Sequence, residues 1–165
     1  MGNAAPRSLE RVAAAMGVLE SAPIEFQATC DVAQGGVLLA LPALLAAGLL
    51  RRAPEFYQLP NGFYGLESVF LLLALLALAR IRSLEPLRYQ APGEWGKLLG
   101  LDRIPEVRTL RAKLKLLCQD MGRAMRWNAE LAKEWMARQN ATELYFYCDG
   151  HVRVYHGDQT ALPRH

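Results

Sequence analysis

A chain of 165 residues with 52% hydrophobic and 21% charged side chains is long enough to bury a core, and too mixed for a disordered chain or a plain membrane bundle. Its net charge of +3 is unevenly spread, with −2 over residues 1–79, +6 over 80–138 and −1 over 139–165, so the basic excess sits in the middle and suits a solvated helical face or a polyanion-facing surface. Cys30, Cys118 and Cys148 are odd in number and form no CxxC, which implies no disulfide framework and points to a reducing, cytoplasmic setting with buried or idle thiols.

In chain order, Ser8 opens a short amphipathic helix with Leu9, Val12, Met16 and Leu19 at spacings of three and four, an apolar stripe that needs a partner. The breaker Ala22-Pro23 follows, and residues 1–30 are read as a helix and linker. "VAQGGVLLALPALLAAGLL", residues 32–50, carries no charge and approaches the roughly 20 residues that cross a bilayer. Pro42 must kink or divide it. After the loop "RAPEFYQLPNGFYG" comes "LESVFLLLALLALARIR", apolar on most faces and closed by arginines. A two-span hairpin would put Arg51-Arg52 and Arg80-Arg82 on opposite sides of a membrane, against the positive-inside bias. Buried core helices are the favoured reading of these runs, with a membrane-associated protein built on 32–50 and 68–79 as the alternative.

From Ser83 the character changes. "SLEPLRYQ" reads as a short helix, "PGEWGKLLG" as another ending at Gly100, and Asp102-Arg103-Ile104 as a turn. Pro105 and Glu106 then open one long helix to about residue 139, whose stripe runs through Leu110, Leu114, Leu117, Met121, Ala124, Asn128, Leu131 and Trp135. That stripe suits packing on the core, or a dimeric coiled coil with Asn128 as its polar register residue. Two short helices around Gly100, the second studded with Arg108, Arg111, Lys113 and Lys115, have the layout of a helix-turn-helix, and with Lys97 and Arg103 these residues are the candidate DNA contacts. Arginine forks and a positive helix N-terminus are suited to phosphates and base edges. Residues 31–140 are accordingly read as a helical DNA-binding-like domain.

Residues 141–165 break the helical pattern. "YFYCDGHVRVYHG" reads as two short strands around Asp149-Gly150, a β-hairpin with nothing further to pair with. The expected fold class is therefore mainly α, a helical bundle with a helix-turn-helix-like segment and one long helix, plus this C-terminal hairpin. "CDGH" lacks the remaining ligands of a zinc site, and the glycines of "QGGVLL" lack the lysine of a phosphate loop.

"ALLALARIRSLEPLRYQAPGEWGKLLGLDRIPEVRTLRAKL" followed by "LYFYCDGHVRVYHGDQTALPRH" resembles the N-terminal part of bacterial DDE-type insertion-sequence transposases, a likeness covering roughly residues 32–165. The resemblance implies a helical region that binds the double-stranded DNA of terminal inverted repeats, followed by an RNase H-like domain. Asp149 would be the first acid of its metal-binding set, there to help hold two Mg²⁺ ions for strand transfer. No further acids follow in that pattern, so the resemblance implies a truncated form that is inactive alone, with no cofactor of its own; Mg²⁺ is expected only in a full-length family member. A homodimer, or a mixed dimer with a full-length transposase, through Leu110 to Trp135 is the remaining expectation.

Overall fold

The central element of the fold is the apolar run that ends in arginines. In the computed structural model, which describes residues 6–138, it forms a helix from Leu66 to Leu78 (α4 in the chain order below). Leucine and phenylalanine on nearly every face let it sit inside other elements, and Val69, Leu72 and Leu75 are fully covered. It stops where Arg80 takes a left-handed conformation (φ 58°), which lets the Ile81 N–H reach back to the Leu76 carbonyl at 2.9 Å.

Around it lie α1 (Ser8–Ala15), a 3-10 helix (Gly35–Ala40), α2 (Leu41–Ala46), α3 (Ala53–Phe56), a second 3-10 helix (Glu85–Tyr89), α5 (Pro92–Leu99), α6 (Val107–Leu117) and α7 (Met121–Arg138). The uncharged run 32–50 is divided as Pro42 requires, with the proline in the first turn of α2. No helix among the described residues is long and apolar enough to cross a membrane.

Two expectations are corrected. The fold class is helical without a β element in what the structure describes, since no strand occurs among those residues; the expected hairpin over 141–165 lies outside them. The single long helix after Pro105 is two helices. Asp120 Oδ1 accepts the Gly122 N–H at 2.9 Å, a side-chain cap that starts α7 afresh after Cys118-Gln119. Of the expected stripe, Leu110, Leu117 and Leu131 are buried within this chain, in line with packing on the core, while Ala124 and Asn128 face outward. Of the thiols expected to be buried or idle, Cys30 and Cys118 are free and exposed.

α7 closes the core from one side. Trp127 packs edge-on against Tyr57 and Phe70, with ring centroids 5.7 and 5.2 Å apart. Leu131 lies so close to Gly48 that a Cβ there would come within 2.9 Å of it, and Trp135 Nε1 donates to the Ala47 carbonyl at 2.9 Å. Arg51 reaches Glu134 at 3.1 Å and Arg52 reaches Glu130 at 3.0 Å, so the paired arginines after α2 hold α7 in place.

The approach of α5 to the chain that follows it is closer still. A Cβ on Gly96 would lie 2.6 Å from both the backbone nitrogen and the Cα of Arg103. Gly96→Ala should therefore lower stability in urea unfolding by about 1–3 kcal/mol, the usual range for forced overpacking. Gly93→Ala, whose Cβ would meet only the Asp102 carbonyl at an ordinary 3.7 Å, should cause no such loss. Equal stability of Gly96→Ala and wild type would show that the turn is not packed this tightly.

Candidate nucleic-acid interface

The basic segment becomes a surface because α6 is divided lengthwise. Val107, Leu110 and Leu117 are buried, with Leu114 half-buried beside them, which seats one face on the core. Arg108, Arg111 and Lys115, at spacings of three and four, are exposed and share the opposite face. Glu106 occupies the cap position ahead of the helix, whose first N–H groups point back toward the preceding turn.

That turn is defined largely by its backbone. Gly100 adopts φ 67°, a left-handed conformation that ends α5 and brings the Leu101 N–H to the Gly96 carbonyl at 2.9 Å. The chain then doubles back, and the Ile104 N–H bonds the Pro92 carbonyl at 3.1 Å. Between this turn, the start of α6 and the 3-10 helix at Glu85–Tyr89 lies an open groove of about 570 Å³. Arg11, Arg88, Gln90, Arg103, Arg108 and Thr109 line it with Glu106, so four arginines and one carboxylate residue border one concavity beside the exposed face of α6.

Two of the four arginines are already engaged: Arg88 Nε lies 3.2 Å from Glu85 Oε2, and Arg11 is bound more closely. Arg11 grips Asp102 with two hydrogen bonds, Nε to Oδ2 and Nη2 to Oδ1, both 2.6 Å. Its guanidinium also lies 3.9 Å over the Phe63 ring and donates to the Tyr64 hydroxyl at 3.2 Å; that hydroxyl in turn donates to the Arg103 carbonyl at 3.1 Å. Burial pushes the Tyr64 phenol above its ordinary value. For Asp102, burial is the largest influence and opposes ionisation, but the hydrogen bonds and positive charges of Arg11 and Arg103 together outweigh it and hold the carboxyl below the usual carboxylate range.

Across residues 2–165 the chain matches the family described as Transposase protein. The chain belongs to that transposase family. No curated protein and no solved structure matches it.

In this transposase-family chain the six candidate DNA contacts divide by location. Arg103 and Arg108 line the groove, and Arg111 and Lys115 continue the outer face of α6. Arg103, Arg108 and Lys115 have no ion-pair partner among the described residues, whereas Arg111 is paired with Glu85. Lys97 is turned away: its side chain is only 4% exposed and its Nζ bonds Glu94 at 2.7 Å, which holds that carboxyl below its ordinary range. Lys113 is half-buried, and burial lowers its ammonium below the usual lysine value. Asp149 lies outside the described residues, among which no three His, Cys, Asp or Glu side chains gather where a metal ion could be held.

Sequence reasoning did not find Arg11 and Arg88 as groove residues. Arg88 stands in the basic stretch "RIRSLEPLR" and carried a usable signal. Arg11 carried none, since its partner lies 91 residues away.

The Arg11–Asp102 pair has a defined pH signature. The Asp102 pKa is depressed on folding, so its contribution is fully present above the unfolded-chain value of about 3.9 and is lost as pH falls through the lower folded value. Asp102→Asn should cost about 1.5–3 kcal/mol near neutral pH, the range for a hydrogen bond to a charged group. In thermal or urea unfolding followed from pH 7 to pH 2, the gap between wild type and variant should close as the acid limit is approached. A gap that stays constant would mean that Asp102 is not stabilised as a carboxylate.

Proposed function

We propose that this transposase-family protein binds duplex DNA through the outer face of α6 and the groove at its N-terminus. The observation that carries the reading is the row Arg108, Arg111 and Lys115 on a helix anchored to the core by its other face, with Arg103 beside it in the preceding turn. An anchored helix with a basic outer face can lie along a groove of DNA while the turn before it meets the phosphate backbone. Its N-terminal N–H groups add a second attraction for phosphate. The helix-turn-helix layout of α5 and α6, and the terminal inverted repeats as target, belong to the same proposal. Membership of a transposase family agrees with a DNA partner. Lys97 and Lys113 support the helices that carry this surface rather than touching DNA.

Binding should weaken with salt, because each phosphate neutralised by a cation releases counterions. Arg108→Ala with Arg111→Ala should reduce affinity for a duplex at least tenfold at moderate ionic strength and flatten the salt slope by about two, roughly one for each arginine taken away from a phosphate. Lys97→Ala should leave that slope unchanged. Fluorescence anisotropy with a labelled duplex over a potassium chloride series measures all three proteins. Negligible duplex binding by the wild type at low salt, or binding indifferent to the two arginines, rules the reading out. By resemblance Asp149 belongs to the chemistry of strand transfer and not to recognition, so Asp149→Asn should leave the same titration unaltered.

A further inference from the structure

Within the proposed interface the cations are not equivalent. Arg103, Arg108 and Lys115 have no ion-pair partner among the described residues, but Arg88 and Arg111 are held together by one carboxylate. Glu85, at the start of the 3-10 helix, places Oε2 3.2 Å from Arg88 Nε and directs Oε1 to Arg111 Nη2. Arg88 lines the groove and Arg111 lies on the outer face of α6, so this carboxylate bridges the two parts of the surface. All three side chains are about half-exposed, which leaves the bridge open to any competing anion.

We infer that Glu85 acts as an internal substitute for a DNA phosphate, holding Arg88 and Arg111 until a duplex displaces it. The inference rests on the DNA-binding reading above and adds regulation of that site. Carboxylate and phosphate oxygens match the same guanidinium fork, so an arginine bonded to Glu85 cannot at the same time grip a phosphate through the same N–H groups. An exposed pair is weak and exchanges readily, so displacement is cheap; it lowers duplex affinity about two- to fivefold without blocking it. After displacement the carboxylate still stands beside the DNA and offsets one positive charge. Since phosphate contacts carry no sequence information, the restraint falls on every duplex alike. Its effect is to loosen attachment to any duplex, whatever its sequence.

The test is Glu85→Gln, which keeps the side-chain size at a half-exposed position while removing the charge. Wild type, Glu85→Gln, Arg111→Ala, the Glu85→Gln and Arg111→Ala double variant, and the Arg108→Ala and Arg111→Ala pair are titrated against two labelled duplexes of unrelated sequence. Potassium chloride is varied throughout. Glu85→Gln should bind both duplexes about two- to fivefold tighter, with a salt slope steeper by about 0.9. The gain should shrink when Arg111 is already alanine. If wild type binds, the arginine pair weakens it and Glu85→Gln binds no tighter, the DNA reading stands and the role of Glu85 is overturned. Weaker binding by Glu85→Gln also overturns it, because the carboxylate then orients the arginines for DNA. A gain undiminished in the Arg111→Ala background refutes the competition for that arginine. Absence of binding by every protein removes the DNA reading, and this inference with it.

Discussion

The bidentate grip of Arg11 on Asp102 joins the first helix of the chain to the turn between α5 and α6, across 91 residues of sequence. The turn that carries Asp102 also carries Arg103, and it sets the direction in which α6 leaves. Arg7, almost fully buried, reinforces the junction by reaching the Gly100 carbonyl at 3.4 Å and the Glu25 carboxylate at 3.1 Å. The Glu25 N–H bonds that same Gly100 carbonyl at 3.0 Å. A turn left to itself would have only its backbone bonds to define it. Here two guanidinium groups from another element fill its hydrogen-bonding capacity, and the basic surface inherits that definition.

This junction reverses the expected use of α1. Of Leu9, Val12, Met16 and Leu19, the apolar stripe that periodicity marks for burial, the first three are 82%, 58% and 70% exposed and Leu19 packs against the core. The inward side is Arg7 and Arg11 instead. The physical reason lies in what each face meets. The elements beneath α1 present a carboxylate, a backbone carbonyl, a phenol and the Phe63 ring, and a guanidinium can satisfy all four where a leucine would leave polar groups unpaired. Periodicity reports which residues share a face; it does not report what the face will be set against.

The opposite end of the molecule follows the more familiar rule. α7 is seated by aromatic packing of Trp127 with Tyr57 and Phe70, and by Leu131 against Gly48, with ion pairs only at the rim. Arg51 and Arg52, which in a membrane reading would flank a span, bond Glu134 and Glu130 of α7. Of the two apolar runs only Leu66–Leu78 is consumed inside the fold; 32–50, expected as a core helix, packs on its outside through half-buried Val37, Leu38 and Leu41 and leaves Leu39 87% exposed, and the basic surplus of residues 80–138 is left for the outside. Part of that surplus is neutralised locally: Glu94 takes Lys97, Asp120 takes Arg126, and Glu85 takes Arg88 and Arg111. Arg80 and Arg82 after α4 remain uncommitted among the described residues, as do Arg103 in the turn and Arg108 and Lys115 on the outer face of α6.

Several features were determined by the sequence alone because their causes are local. Pro42 divides the uncharged run through its missing N–H, Gly100 ends α5 through its tolerance of positive φ, and the heavily apolar composition of Leu66–Leu78 makes it the core helix. The division of α6 into an apolar and a basic face was also legible, since spacings of three and four are a property of the chain itself. The break at Asp120 was less so, because a cap competes with helix continuation and only the bond to the Gly122 N–H shows which won. Tertiary structure decided the rest. It turned Lys97 and Lys113 away from the surface, brought Arg11 and Arg88 to the groove, set Glu85 upon Arg111, and exposed most of the stripe of α1. Each of these depends on a charge meeting a partner far along the chain or on which element covers a face. Such pairings have no period in the sequence, and they come into being only when the helices are packed.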